Sequence, residues 1–162
     1  MYSRLSFVGV TVAAICLCSC QGIRDMHLID DYGGYCIPSD YGGPEVGFMP
    51  DRRQITDADL AVLSAAVRRQ DPGELNLEDT DIGDAALVDI SRLQSLVSLR
   101  LNGTHVTPAG VGTRLRGMQN LRELYVNAET FGPDQIDTLQ HQLPNVRINR
   151  MTLDQGRWRF AK

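Results

Sequence analysis

Apolar and polar positions alternate along the middle of this chain in a pattern that returns at a fixed interval. Leu75-x-Leu77-x-x-Thr80-x-Ile82, Leu99-x-Leu101-x-x-Thr104-x-Val106 and Leu124-x-Val126-x-x-Glu129-x-Phe131 align position for position, about 24 to 25 residues apart. The alternation within each run is the two-residue period of a half-buried strand. After Ile82, Val106 and Phe131 stand Gly83-Asp84, Thr107-Pro108 and Gly132-Pro133, residue types suited to a helix cap and to a first helical position that needs no free N–H. Leu87, Val111 and Ile136 follow at matching offsets, with Ile90, Leu115 and Leu139 about one turn further on. The predicted unit is strand, turn, helix. Units of this length stack into a solenoid because none buries its apolar face alone.

The ends of the array are expected to differ from its middle. Ile55-Thr56-Asp57-Ala58-Asp59-Leu60-x-x-Leu63 carries the turn and helix of the same unit, about 27 residues before its counterpart and with no strand in front. It reads as an N-terminal cap whose helix covers the edge of the first strand, with Thr56 capping and Asp57 and Asp59 complementing the helix dipole. At the other end Arg157-Trp158-Arg159-Phe160 alternates, which puts Trp158 and Phe160 on one side to close the last repeat.

These residues resemble bacterial leucine-rich repeat proteins, whose units read roughly Leu-x-Leu-x-x-Thr-x-Ile-Thr-Asp-x-Gly-Leu. Leu75 to Leu87 follows that pattern with Ala86 in place of Gly, and Leu99 to Val111 with Pro108 in place of Asp. Leu143-Pro144-Asn145-Val146-Arg147-Ile148 is similar to the family's closing repeat, and Glu129 departs from its Thr position, so the third turn is expected to be less regular. The resemblance implies an α/β fold: a short leucine-rich repeat solenoid over residues 52–150, of about three to four units, with parallel strands on a concave face and helices on a convex face. It implies no particular activity, since one scaffold carries many roles.

The first residues bear on location. Arg4, the apolar run from Leu5 to Leu17 and the small-residue end Leu17-Cys18-Ser19-Cys20 read as an export signal over residues 1–19, too short for an ordinary transmembrane helix. Leu17-Cys18-Ser19-Cys20 also resembles the bacterial lipobox, which implies lipidation of Cys20 and a membrane-anchored lipoprotein of the bacterial cell envelope; cleavage without lipid would give a periplasmic or secreted soluble protein. Asp30-Asp31-Tyr32-Gly33-Gly34 and Asp40-Tyr41-Gly42-Gly43-Pro44 give residues 20–51 the composition of a Gly/Tyr/Asp-rich tether. Residues 151–162 are expected to form a C-terminal capping tail. Cys16, Cys18 and Cys20 belong to the signal and its end, leaving Cys36 alone and no internal disulfide framework.

The net charge of −4 becomes −5 without residues 1–19, whose only charged side chain is Arg4. An acidic chain with no basic stripe disfavours nucleic acid as a partner. His27, His105 and His141 share no metal-ligand spacing, Asp79, Asp81 and Asp84 lack the full calcium-loop pattern, and no serine sits in a Gly-x-Ser-x-Gly elbow. The reading is therefore non-enzymatic, with no cofactor and no metal. Strand alternation places Glu74, Asn76 and Glu78, then Ser98, Arg100 and Asn102, then Glu123, Tyr125 and Asn127, and finally Arg147 and Asn149 on the concave face. Asn76, Arg100, Tyr125 and Arg147 are the candidate partner-binding residues, Tyr and Arg being enriched at binding hot spots. Alanine at Arg100, Tyr125 or Arg147 is expected to change stability by less than about 1 kcal/mol. The expected function is an envelope-tethered module that binds an envelope protein or peptide. The alternatives are a structural envelope lipoprotein with no dedicated ligand and a glycan-binding module.

Overall fold

The computed structural model describes residues 20–154 and 157–161, so the export-signal reading of residues 1–19 lies outside the described residues. Helix α1 (Cys20–Asp31) leads into strands β1 (Gly34–Pro38) and β2 (Pro44–Phe48). There follow α2 (Asp57–Gln70), β3 (Glu74–Asn76), α3 (Leu87–Ile90), β4 (Ser98–Arg100), α4 (Pro108–Arg114), β5 (Glu123–Asn127), α5 (Pro133–Gln142), β6 (Arg147–Asp154) and β7 (Arg157–Phe160). The seven strands form one open sheet in sequence order, parallel from β2 to β6 and with an antiparallel strand at each edge. The fold is α/β. Crossovers between neighbouring parallel strands share one hand, and α2, α3, α4 and α5 pack in that order, so these helices line one face and leave the other open.

The sequence repeat becomes a spatial column. Val46, Leu75, Leu99, Leu124 and Ile148 stand side by side across five strands, and the first four are fully buried. Leu63, Val67, Ile90, Val111, Leu115 and Leu139 supply the helical side of the same core. Turns are held the same way in successive units: the Thr80 and Thr104 hydroxyls donate to the carbonyls of Leu77 and Leu101 at 2.7 and 2.6 Å. Glu129 stands exposed at the corresponding place. There Arg150 on β6 donates to the carbonyls of Phe131 and Ala128 at 2.8 and 3.1 Å, so the third turn is held from the next strand.

Two aspartates each fasten their unit to the one after it. Asp57 Oδ1 accepts from the backbone N–H groups of Gly83 and Ala86 at 2.8 and 3.1 Å, and Asp84 accepts from the N–H and hydroxyl of Thr107 at 2.8 and 2.7 Å. This explains one departure from expectation: Gly83-Asp84 does not open a helix. The N–H groups that a local cap would serve are taken by Asp57, and α3 is a single turn that starts only at Leu87. Pro108 occupies the Asp position of the next unit, where α4 begins behind a Thr107 cap that accepts from Gly110 N–H. Thr56 and Asp59 form a reciprocal capping box at the start of α2.

Residues 20–51 are not a tether. They build α1, β1 and β2, and β2 pairs with β3 in parallel, so the edge of β3 is covered by a strand rather than by α2. Val46-x-Phe48 with Ile55 repeats Leu75-x-Leu77 with Ile82, the turn being two residues longer. The Asp-Tyr-Gly-Gly runs are turns, with Gly33 at φ 74 and Gly42 at φ 85 supplying the left-handed backbone that side chains resist. Helix α1 is fixed to α2 by Arg69, whose guanidinium donates twice to the buried Asp25 at 2.6 Å, and Ile29 joins the core. Cys36 packs against the core from β1.

Leu99→Ala should lower the unfolding free energy by about 2–5 kcal/mol, the range for deleting a buried leucine. Val46→Ala, which would be silent in a tether, should lower it by about 1–3 kcal/mol. Urea titration of both variants checks the pair, and an unchanged midpoint for Val46→Ala would remove β2 from the core.

Candidate functional site: the open face of the sheet

The face away from the helices carries a continuous set of polar side chains. Tyr35 on β1 donates its hydroxyl to Glu45 Oε1 on β2 at 2.6 Å, and Asn76 Nδ2 on β3 donates to Tyr35 Oη at 3.1 Å and to Glu45 Oε1 at 3.4 Å. Gly47 makes this possible, since a Cβ there would collide with the Tyr35 ring. In the centre, Arg100 Nε donates to Glu74 Oε1 at 2.9 Å and its guanidinium lies 5.0 Å from the Tyr125 ring centroid. The Tyr125 hydroxyl donates to Glu123 Oε2 at 2.6 Å, and Tyr41, from the β1–β2 loop, reaches the same oxygen at 3.1 Å.

Burial and neighbouring charges together leave these tyrosines and Arg100 with raised pKa values. Burial pushes the Tyr125 phenol up to about 12, helped by its bond to Glu123. Tyr35 and Tyr41 are raised for the same reasons, burial first and then Glu45 and Glu123 respectively. For Arg100 burial is the largest single effect and works against the charge, yet the bond to Glu74 together with the charges of Glu74, Tyr125 and Glu45 outweighs it and the pKa is raised. The Glu74 side chain is only 7% exposed and the Arg100 side chain 39%, so Arg100 is the near-buried carboxylate's partner as well as a surface group.

Of the four sequence-derived candidates, Asn76, Arg100 and Tyr125 fall within this network. Arg147 is exposed on β6, beside Glu123 in register. Two expectations need correction. Asn102 does not line the solvent face: it lies past the end of β4, where the chain has turned inward, and is buried, as is Ser98. Arg100→Ala is not structurally silent, because it would strand Glu74. Tyr35 and Tyr41, which the sequence offers only as exposed aromatics of a tether, and Glu45, which it does not single out, belong to the face as well; the recurrence at Val46-x-Phe48 was the available signal.

The C-terminal residues do more than end the sheet. Register with β6 sets Trp158 beside Leu153 and Phe160 beside Met151, giving the hairpin an apolar side on the open face, while Thr152, Asp154, Arg157 and Arg159 form its polar side. Trp158 Nε1 lies 3.2 Å from both Asp79 carboxylate oxygens, and the Phe160 ring lies 6.4 Å from that of Tyr125. Besides ending the sheet at β6, the hairpin reaches the turn after β3 through Trp158. Leu153 and Phe160 remain 59% and 66% exposed.

Elsewhere the acidic turn residues are each engaged separately: Asp79 by Trp158, Asp81 by His105 at 3.0 Å and Asp84 by Thr107. Among the described residues no group of three or more His, Cys, Asp or Glu is placed to hold a metal, and no helix is long and apolar enough to cross a membrane. A groove of about 600 Å³ between α4 and α5, lined by Ala109, Gly112, Arg116, Thr138 and Gln142, opens on the helical side away from the polar network. Cys20 is the first residue of α1. No family model matches the chain, and no curated protein matches it.

Arg100→Ala should cost about 1–3 kcal/mol, the penalty for leaving a near-buried acceptor unpaired, whereas Arg147→Ala should cost less than about 1 kcal/mol; chemical denaturation distinguishes them. The raised Tyr125 pKa means that the folded state prefers the neutral phenol over an ordinary value of 10.0. Its stabilisation should be complete below about pH 10 and lost as pH rises through about 12. Ultraviolet titration should show phenolate forming later in the folded protein than in urea, with the late phase reduced in Tyr125→Phe.

Proposed function

We propose that the chain is a short leucine-rich repeat solenoid of the bacterial cell envelope, anchored through lipid on Cys20, that binds a protein or peptide across its concave open face and performs no catalysis. Support for the repeat reading comes from the in-register column of Val46, Leu75, Leu99, Leu124 and Ile148. The observation that carries the binding reading is the stack of Arg100 on Tyr125 at the centre of the face, each held by its own glutamate. Both types are enriched at hot spots, and side chains already fixed lose less entropy when a partner docks. A purely structural role is the second reading, favoured by the degree to which the same side chains satisfy one another.

Capture from native envelope extract, by cross-linking to wild type and to a Tyr125→Ala, Arg147→Ala double variant with an intact unfolding transition, tests the first reading. Recovery of the partner should fall by roughly tenfold, the scale of one hot spot. Equal recovery would move the site off this face, and no partner with either protein would favour the structural role. Cys20→Ala should release the protein from the membrane fraction or block its processing, and membrane retention of a mature-sized variant would refute the lipid anchor.

A further inference from the structure

The open face offers more acceptors than donors. Glu45 and Glu74 each use Oε1, bonded by Tyr35 with Asn76 and by Arg100, and Glu123 uses Oε2, bonded by Tyr41 and Tyr125. Glu45 Oε2, Glu74 Oε2 and Glu123 Oε1 take no hydrogen bond among the described residues. Of the three, Glu74 alone is in an ion pair among the described residues; Glu45 and Glu123 are hydrogen-bonded by neutral phenols and an amide, Arg100 acts on Glu45 only at longer range, and the exposed Arg147 makes no ion pair with Glu123 among the described residues. Ser98 stands between Glu74 and Glu123 on the same face. It is fully buried, and its Oγ has no hydrogen-bond partner among the described residues. Such a surplus of carboxylate oxygens around an unsatisfied hydroxyl is completed by a group that brings donors and positive charge.

The chain itself supplies a precedent for how such a group is held. Arg100 is seated between a carboxylate at 2.9 Å and a phenol ring at 5.0 Å; Glu123 is a second carboxylate beside phenol rings, shares the Tyr125 ring with Arg100 and is in no ion pair among the described residues. Beside this acidic surface is the apolar side of the β6–β7 hairpin, with Leu153 and Phe160 exposed and Phe160 against Tyr125. An extended peptide lying along the border of the two would present alternate side chains to each.

We propose that the open face binds an extended basic peptide in which Lys or Arg alternates with large apolar residues, its basic side chains on Glu123 and Glu45 and its apolar ones against Phe160 and Leu153. This rests on the interaction reading above and names the partner's chemistry. The single tryptophan, Trp158, sits at the hairpin's contact with Asp79 and reports occupancy by its fluorescence. The probes are an alternating Lys/Phe hexapeptide, its Glu/Phe counterpart and a Lys/Ser counterpart, titrated into the purified protein. The Lys/Phe peptide should bind, less tightly as salt increases, and the other two should bind at least about tenfold more weakly. Glu123→Gln should weaken Lys/Phe binding by roughly tenfold, and Glu45→Gln serves if that variant does not fold. Absence of Lys/Phe binding, equal binding of the acidic peptide, or affinity unchanged by both glutamine variants overturns the proposal. Tyr125-dependent capture from envelope extract alongside any of those results would leave the interaction reading standing, whereas loss of both would remove the face as a site.

Discussion

The structure depends on leucine side chains stacking between strands that are too short to stand alone. β3 and β4 have three residues each, so neither gains much from its own ladder of hydrogen bonds, and the apolar column through Leu75 and Leu99 is closed only when the units on both sides are present. The Asp57 and Asp84 bonds to the following unit reinforce that dependence, because each carboxylate satisfies backbone groups it does not adjoin in sequence. The two hairpins then end the stack with antiparallel strands, at β1 and at β7. Edges of that kind do not present the parallel register from which another unit would continue.

Where the chain follows its own period, the fold could be read from it. Leu75, Leu99 and Leu124 locate β3, β4 and β5, Thr107-Pro108 starts α4, and Thr56 caps α2. The failures have local causes. β2 was hidden because the turn between Phe48 and Ile55 is two residues longer than its counterpart and because glycines that form tight turns have the same composition as glycines in a linker. The late start of α3 depends on Asp57, in the preceding unit, and nothing near Gly83 announces it. Trp158 meets Asp79 across 79 residues of sequence, a pairing that strand alternation cannot reveal. Asn102 obeys the alternation on paper but lies beyond the last residue of β4, where alternation no longer applies.

The open face was legible as a set of residue types and illegible as a set of partnerships. Arg100 looked like a free contact group, yet its bond to Glu74 joins two adjacent units. That double role makes alanine substitution at Arg100 ambiguous between lost contact and lost fold, whereas Tyr125 displays its ring while its hydroxyl is tied to Glu123 on its own strand. The tyrosines that complete the face come from β1 and its loop, so the part of the chain that departs most from the repeat is also the part that closes the polar network at one edge.

Helix α1 sets a limit on reach. It begins at Cys20, runs 12 residues and is pinned to α2 by the buried Asp25 bound to Arg69, so the chain passes from residue 20 into the folded body without slack. At ~1.5 Å per residue the helix is about 18 Å long. Any attachment at Cys20 would therefore leave no peptide spacer between the folded body and its support, and the molecule could pivot there but would survey only a thin layer next to that support, not a hemisphere around a leash.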